Sequence, residues 1–358
     1  MSMYTIVGIL AFGLLIAIHE LGHFLSAKLM GVRVNEFAIG MGPKLLKKQG
    51  KETLYTLRAL PFGGFCAMDG QDETLDDPRA FTSQKRWRRV VILLSGSLFN
   101  FIAAFIIVAV LNAGATGFIG TTITALHDDF PNQGENGLMA GDRIVSINGE
   151  RLHYLQDFIM FMQLARSDEV DLVISRNGEH ITLSRFPLQQ REFIENGVTV
   201  VRYGITFNVI EATFFEQLRY SGYQTFNFIR MIRVSLAQLF SGQAGVDDMS
   251  SAIGIVDTMS TIAQQAPTIG AAIGSIAFLT AFIGVNLAVF NLLPIPALDG
   301  GRILFIVISF LIEKIARRKL DPKYEGYIHT GAMILLLGFT AYIMFNDVLR
   351  LVLRVENG

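Results

Sequence analysis

His19-Glu20-Leu21-Gly22-His23 falls at the end of an apolar run, Met3–Leu25, that carries no other charge. Read as a helix, the run places the two His four residues apart on one face, as two ligands of one metal must be. Glu20 then lies beside the metal, where a carboxylate can take a proton from water. A lone His on an apolar face is more often a satisfied core residue than a ligand. Here three ionisable side chains crowd into one membrane-length segment, where each charge costs about 2.5–3.5 kcal/mol on insertion scales. A shared metal gives all three one reason to be there. The H-E-x-x-H pattern points to zinc and to hydrolysis of peptide bonds within the bilayer.

The rest of the chain fits that setting. Of 358 residues, 51% are hydrophobic and 17% charged, and mean hydropathy is +0.43. This is a membrane protein's composition. The net charge of -1 says nothing about partners, and no basic tract suggests nucleic acid. The single cysteine, Cys66, excludes a disulfide framework and a Cys-rich zinc site, and reads as a small apolar residue. With no basic stretch before the apolar run and no A-x-A cleavage site, the first segment reads as a retained span.

Four segments are long and apolar enough to cross a bilayer: Met3–Leu25, Val90–Gly117, Ile269–Leu293 and Tyr327–Phe345. Ile303–Ile312 is too short and reads as a helix following the third span. Basic residues crowd two loops. One runs from Lys28 to Arg89; the other holds Lys314, Arg317, Arg318, Lys319 and Lys323. Both are expected in the cytoplasm, which puts the termini and the region about Ala115–Pro267 outside. Phe214–Phe240 is apolar but carries Arg219, Arg230 and Arg233, and reads as an amphipathic interfacial helix.

Between Gly120 and Pro187 the sequence turns polar and strand-like. Arg143–Ile147 alternates, Asn148-Gly149 is a hairpin-type turn, and Leu155–Ala165 is helical. Val170–Ser175 and His180–Ser184 then flank the turn around Asn177-Gly178. The pattern Leu138-x-x-Gly141-Asp142-x-Ile144-x-x-Ile147-Asn148-Gly149 resembles a PDZ domain of the permuted form found in bacterial proteases. A PDZ domain implies a peptide ligand added to a sheet edge; a steric cap without ligand weighs about equally.

Zinc hydrolases take three protein ligands and leave one position to water. The best third candidate is Asp299, the only acid near the third span, in Asn291-Leu292-Leu293-Pro294-Ile295-Pro296-Ala297-Leu298-Asp299-Gly300-Gly301. Pro294 and Pro296 should break the helix, and the glycines allow tight turning after it. The expected topology puts Asp299 at the same depth and side as His19 and His23. His127, His153, His180 and His329 are weaker candidates: three lie in the outer region, and His329 starts the last span without a local partner.

Together these motifs resemble the site-2 protease family of intramembrane zinc metalloproteases, in particular its bacterial branch with one inserted PDZ domain. That family pairs H-E-x-x-H in its first helix with N-x-x-P-x-P-x-L-D-G in a later one, and the likeness covers nearly the whole chain. The resemblance implies that His19, His23 and Asp299 bind Zn2+ and that Glu20 is the catalytic acid/base. It also implies that Asn286 and Asn291 handle substrate; helix–helix hydrogen bonding is their plain alternative. Ile39-Gly40-Met41-Gly42-Pro43 resembles a Gly-Pro turn of the family. The β-prone Thr53–Leu60, followed by Pro61-Phe62-Gly63-Gly64-Phe65, matches its membrane-associated hairpin. Gly63, Gly64 and Phe65 would then offer an edge strand to an unwinding substrate, or serve structure alone.

The expected fold is a polytopic α-helical membrane protein of about four transmembrane helices with a cytoplasmic membrane-associated β-hairpin. A small α+β, β-rich PDZ-like extracytoplasmic domain is inserted into it. Residues 1–117 hold the first two spans, 118–190 the PDZ-like domain, 191–268 a strand and interfacial helix, and 269–358 the last two spans. The implied partners are the lipid bilayer and single-span membrane proteins, with anti-sigma factors and remnant signal peptides as the family's common substrates. The implied location is the bacterial cytoplasmic membrane. A metal transporter and a catalytically silent PDZ-bearing scaffold are the alternatives.

Overall fold

An unbroken run of apolar and small residues with no proline makes α1 (Met3–Leu29) a single helix through the whole H-E-x-x-H stretch. The computed structural model describes residues 3–71, 76–165, 167–195, 198–242, 252–317 and 322–356. After α1 the chain forms two long strands, β1 (Val34–Gln49) and β2 (Leu54–Met68), and then α2 (Arg86–Asn112). Both strands bend sharply. Ala38 pairs with Thr56 and also with Phe65, while Lys47 pairs with Thr56 from the other side. Residues 36–39 are therefore flanked on two sides, and residues 64–68 form an outer edge.

The Gly-Pro turn expected at Ile39–Pro43 falls inside β1, where the chain doubles back: residues 36–39 run parallel to 54–57, and residues 46–49 run antiparallel to them. Gly40 and Gly42 take φ of +83° and +82° and act as bulges that bend the strand without ending it. The strand turn lies at Gly50, whose N–H bonds the Thr53 carbonyl at 2.9 Å.

A second compact unit, Asn112–Tyr223, follows. It contains β3 (Gly117–Leu126), β4 (Arg143–Ile147), β5 (Glu150–Arg151), α3 (Leu155–Ala165), β6 (Glu169–Arg176) and β7 (Glu179–Pro187). The hairpin β8 (Arg191–Glu195) and β9 (Val198–Arg202), then β10 (Ile205–Glu211), complete it. The main sheet runs β10-β3-β4-β6-β7, with β5 beside β4. The unit does not stop at residue 190, because β10 returns to pair along β3 from Ile205 with Leu126 to Glu211 with Gly117. Its core is apolar, with Leu138, Ile144, Ile147, Leu172 and Ile174 fully buried under Phe158 of α3. Asn148 and Asn177 adopt φ of +49° and +52° ahead of Gly149 and Gly178, as tight two-residue turns require. Asp142 is completely buried, and its carboxylate accepts two bonds of 2.7 Å from Arg176 and one of 2.9 Å from the Met139 N–H. The Gly-Asp pair of the sequence pattern is thus a structural clasp.

The first unit resumes within α4 (Phe214–Phe240), from Gln224 onward. Phe228 and Ile232 of this stretch pack against Ala104 and Val108 of α2, while Arg219 and Arg233 are exposed. Arg230 is buried and donates to Asn227 Oδ1 at 2.9 Å. The arginines therefore do not share one exposed face. Then come α5 (Ala252–Gln264), α6 (Ile269–Asn291), α7 (Asp299–Ala316) and α8 (Pro322–Glu356). Phe228 also meets the rings of Phe278 and Phe282 on α6.

Among the described residues, four helices are long and apolar enough to span: Met3–Leu29, Arg86–Asn112, Ile269–Asn291 and Gly326–Asp347. They fit a polytopic membrane protein. Arg318 and Lys319 of the second basic loop lie outside the described residues.

Candidate metal centre

The site is built on α1, α2 and the break between α6 and α7. Helix α6 ends at Asn291, ahead of Pro294 and Pro296, and the chain turns through Leu292–Leu298 before α7 opens at Asp299. This fold-back needs both glycines. A methyl group at Gly300 would sit 2.3 Å from the Leu292 carbonyl oxygen, and one at Gly301 2.2 Å from that of Ile295. Asp299 is thereby placed against the two His of α1.

The three side chains converge. Asp299 Oδ2 lies 3.2 Å from His19 Nε2 and 3.1 Å from His23 Nε2, and the two Nε2 atoms are 3.1 Å apart. His23 Nδ1 donates to the Ile92 carbonyl of α2 at 2.9 Å, which leaves the Nε2 lone pair facing the centre. All three side chains are largely buried, and Asp299 Oδ2 makes no well-aligned hydrogen bond among the described residues. Acceptor atoms this close, in a site shielded from water, repel one another unless a cation lies among them. Two neutral imidazoles and one carboxylate are the donor set of a zinc site that keeps a position open. The residues fit the metal.

Close helix packing makes room for it. A methyl group at Gly96 on α2 would come within 2.5 Å of His23 Nε2 and 2.7 Å of His19 Cε1. At Gly22 it would fall 2.4 Å from the Ser95 carbonyl oxygen. Ser95 and Ser26 join across the same crossing at 2.6 Å. Small residues let the two backbones approach, as is common between membrane helices. Sequence reading overlooked Gly96; the run Ser95-Gly96-Ser97 inside an apolar span was its available signal.

Glu20 does not join the triad. It points toward β2, and its Cγ lies 3.5 Å from where a Gly64 side chain would begin. Burial, with the Glu20 charge nearby, pushes the Cys66 thiol up to about 12, so this cysteine stays a neutral thiol and not a thiolate. Gly64 also lies under the Ala38 carbonyl, and Gly63 takes φ +88° against the Met41 side chain. The Phe65 ring lies 4.8 Å from the Arg58 guanidinium. Asn291 Nδ2 sits 3.3 Å from His19 Nε2, whereas Asn286, further up α6, has its Oδ1 buried without a hydrogen-bond partner among the described residues.

His127, His153 and His180 belong to the second unit. His329, expected to lack a local partner, accepts a hydrogen bond from the Ala297 N–H at 2.9 Å.

The sequence profile of peptidase family M50 matches residues 7–339. A zinc metalloprotease, by name, of Clostridium perfringens is 36% identical over 97% of this chain and 99% of its own length. One of Fusobacterium nucleatum is 32% identical over 98% and 99%. The regulator of sigma-W protease RasP of Bacillus subtilis is 27% identical over 96% and 98%. These matches leave the transporter and scaffold readings without support. The chain belongs to peptidase family M50, the site-2 proteases, and is a zinc metalloprotease of that membrane-embedded type.

Proposed function

We propose that His19, His23 and Asp299 are the zinc ligands, that Glu20 is the catalytic acid/base, and that the substrate is the transmembrane segment of a single-span protein. The observation that carries this reading is the placement of Glu20 between the converged ligands and the edge of β2 at Gly64–Cys66. A transmembrane helix has its carbonyls hydrogen-bonded and enclosed, so it must unwind to be cut. Residues 64–68 present an edge on which an extended segment can pair. The glycines at 63 and 64 leave that edge without bulky side chains beside Glu20.

Held by the three ligands, zinc would supply Lewis acidity and lower the pKa of water at the site. Glu20 is placed to take a proton from the attacking water and to pass it to the leaving amine. Asn291 offers a neutral N–H donor beside His19 for the scissile carbonyl, and Asn286 offers a second amide further along the unwound segment.

Anti-sigma factors and remnant signal peptides are the substrate classes that fit; the name of the Bacillus subtilis relative ties it to sigma-W regulation. The basic loops support a reading with the metal centre toward the cytoplasm of a bacterial cell and the PDZ-like unit outside. There the unit either binds a peptide end or excludes bulky outer domains. Under exclusion, a substrate stripped of its folded outer domain is cut and the intact one is not; equal cutting of both sinks the filter.

The catalytic reading is tested by co-expressing single-span candidates with wild type and with Glu20→Gln. Cleavage should fall by about 10²–10⁴-fold while zinc content is unchanged. Equal cleavage by both proteins would refute the role of Glu20.

A further inference from the structure

The loop that delivers Asp299 contains a residue in an unfavourable conformation. Ala297, two positions before Asp299, has φ +81°, a region that residues with a side chain rarely occupy. Such conformations persist only where the surroundings over-determine them. Within the loop, the Ile295 N–H bonds the Leu293 carbonyl at 2.7 Å and the Leu298 N–H bonds that of Ile295 at 3.2 Å. The Ala297 N–H is instead held from outside the loop, by Nδ1 of His329 on α8, 32 residues further on. Much of α8 is exposed, including Leu335 at 75% and Leu337 at 62%, yet His329 is only 8% exposed. Its ring lies 5.9 Å from that of Phe305 on α7. Accepting an N–H at Nδ1 fixes the neutral tautomer with its proton on Nε2.

We propose that His329 is a positioning residue for the metal centre. Its Nδ1 holds Ala297 in the left-handed conformation and so sets where the Asp299 carboxylate meets His19 and His23. The inference rests on the reading of His19, His23 and Asp299 as zinc ligands. A lever on the loop two residues from a ligand acts on metal affinity, as partners outside the ligand set commonly do.

The test compares His329→Asn, His329→Gln and His329→Leu with wild type in detergent, by competitive zinc titration. Asn places its carbonyl oxygen near the position of Nδ1; Gln reaches past it. His329→Leu and His329→Gln should weaken zinc binding by about 10–100-fold. His329→Asn should stay within a few-fold of wild type, and the zinc-free proteins should melt alike. Should the Leu variant fail to accumulate, the Asn and Gln pair decides. Gln binding as tightly as wild type, or Asn binding as weakly as Gln, overturns the proposal. Asp299→Asn in the same titration separates the two readings. If it keeps full affinity, the ligand assignment is wrong; if it loses zinc while both His329→Leu and His329→Gln keep it, only the role of His329 is wrong.

Discussion

Asp142 and Asp299 are both buried carboxylates, and they are treated in opposite ways. In the sheet unit, Arg176 supplies two charge-assisted bonds to Asp142, the Met139 amide adds a third, and Arg176 also donates to the carbonyls of Glu135 and Gly137. Around this carboxylate, charge and hydrogen bonds are completed within the protein. In the membrane unit, Asp299 meets two imidazole Nε2 atoms and no guanidinium or ammonium among the described residues. The same unit leaves Ser97 Oγ and both amide atoms of Asn100 buried without hydrogen-bond partners among the described residues. A carboxylate completed by its own chain is scaffolding. One left among acceptors is an invitation to a cation, because isolated buried charge is too costly to keep otherwise.

The sharpest way to break this contrast is Gly96→Ala. The added methyl would meet both imidazoles at distances no carbon tolerates. The expected outcome is a loss of zinc affinity of at least about 10-fold, comparable to the loss of a ligand's supporting partner, with cleavage falling alongside it. Metal analysis of the purified variant checks it. Unchanged zinc would mean that α1 and α2 separate easily and that close packing is not what shapes the site.

Asp142→Ala probes the other side. It strands the Arg176 guanidinium in a part-buried site, and removing one partner of a buried pair costs about 3–5 kcal/mol. Hydrogen exchange in β4 and β6 of the full-length protein should rise accordingly, while zinc stoichiometry stays at the wild-type value. Loss of zinc in this variant would tie the clasp to the metal centre and erase the distinction.

The two halves of the site differed in how visible they were in the sequence. His19, Glu20 and His23 share one helix, so their spacing alone announces them. Asp299 was reachable because Pro294 and Pro296 break a span just before it. In the sheet unit, α3 and the Asn-Gly turns follow from alternation and turn chemistry, which are local. What stayed hidden was held by non-local contact. Gly96 matters only through what crosses it, and β10 joins the sheet only because β3 offers an edge. Ala297 takes its conformation with a helix further along the chain. Ile39–Pro43 was legible as a reversal, but which strands flank it afterwards was not, because only the partner strand decides that.

The smallest effect lies in the hairpin, where charge satisfaction is of the Asp142 kind but near water. Glu36 accepts from Arg58 at 2.7 Å, Lys44 at 2.9 Å and Thr56 at 2.8 Å. Partial burial alone would raise its carboxyl, but these three donors bring it down to about 2 from an ordinary 4.5. A carboxyl depressed by folding stabilises the folded form above its ordinary value, and that contribution drains away as pH falls toward 2. Exchange of the β1 and β2 amides, taken as the ratio of Glu36→Gln to wild type, should therefore be highest near neutrality and approach one at the acid end. A ratio flat across that range would show that solvent already screens the cluster. Its carboxylate would then resemble neither Asp142 nor Asp299, and the hairpin edge beside Glu20 would owe its shape to backbone pairing alone.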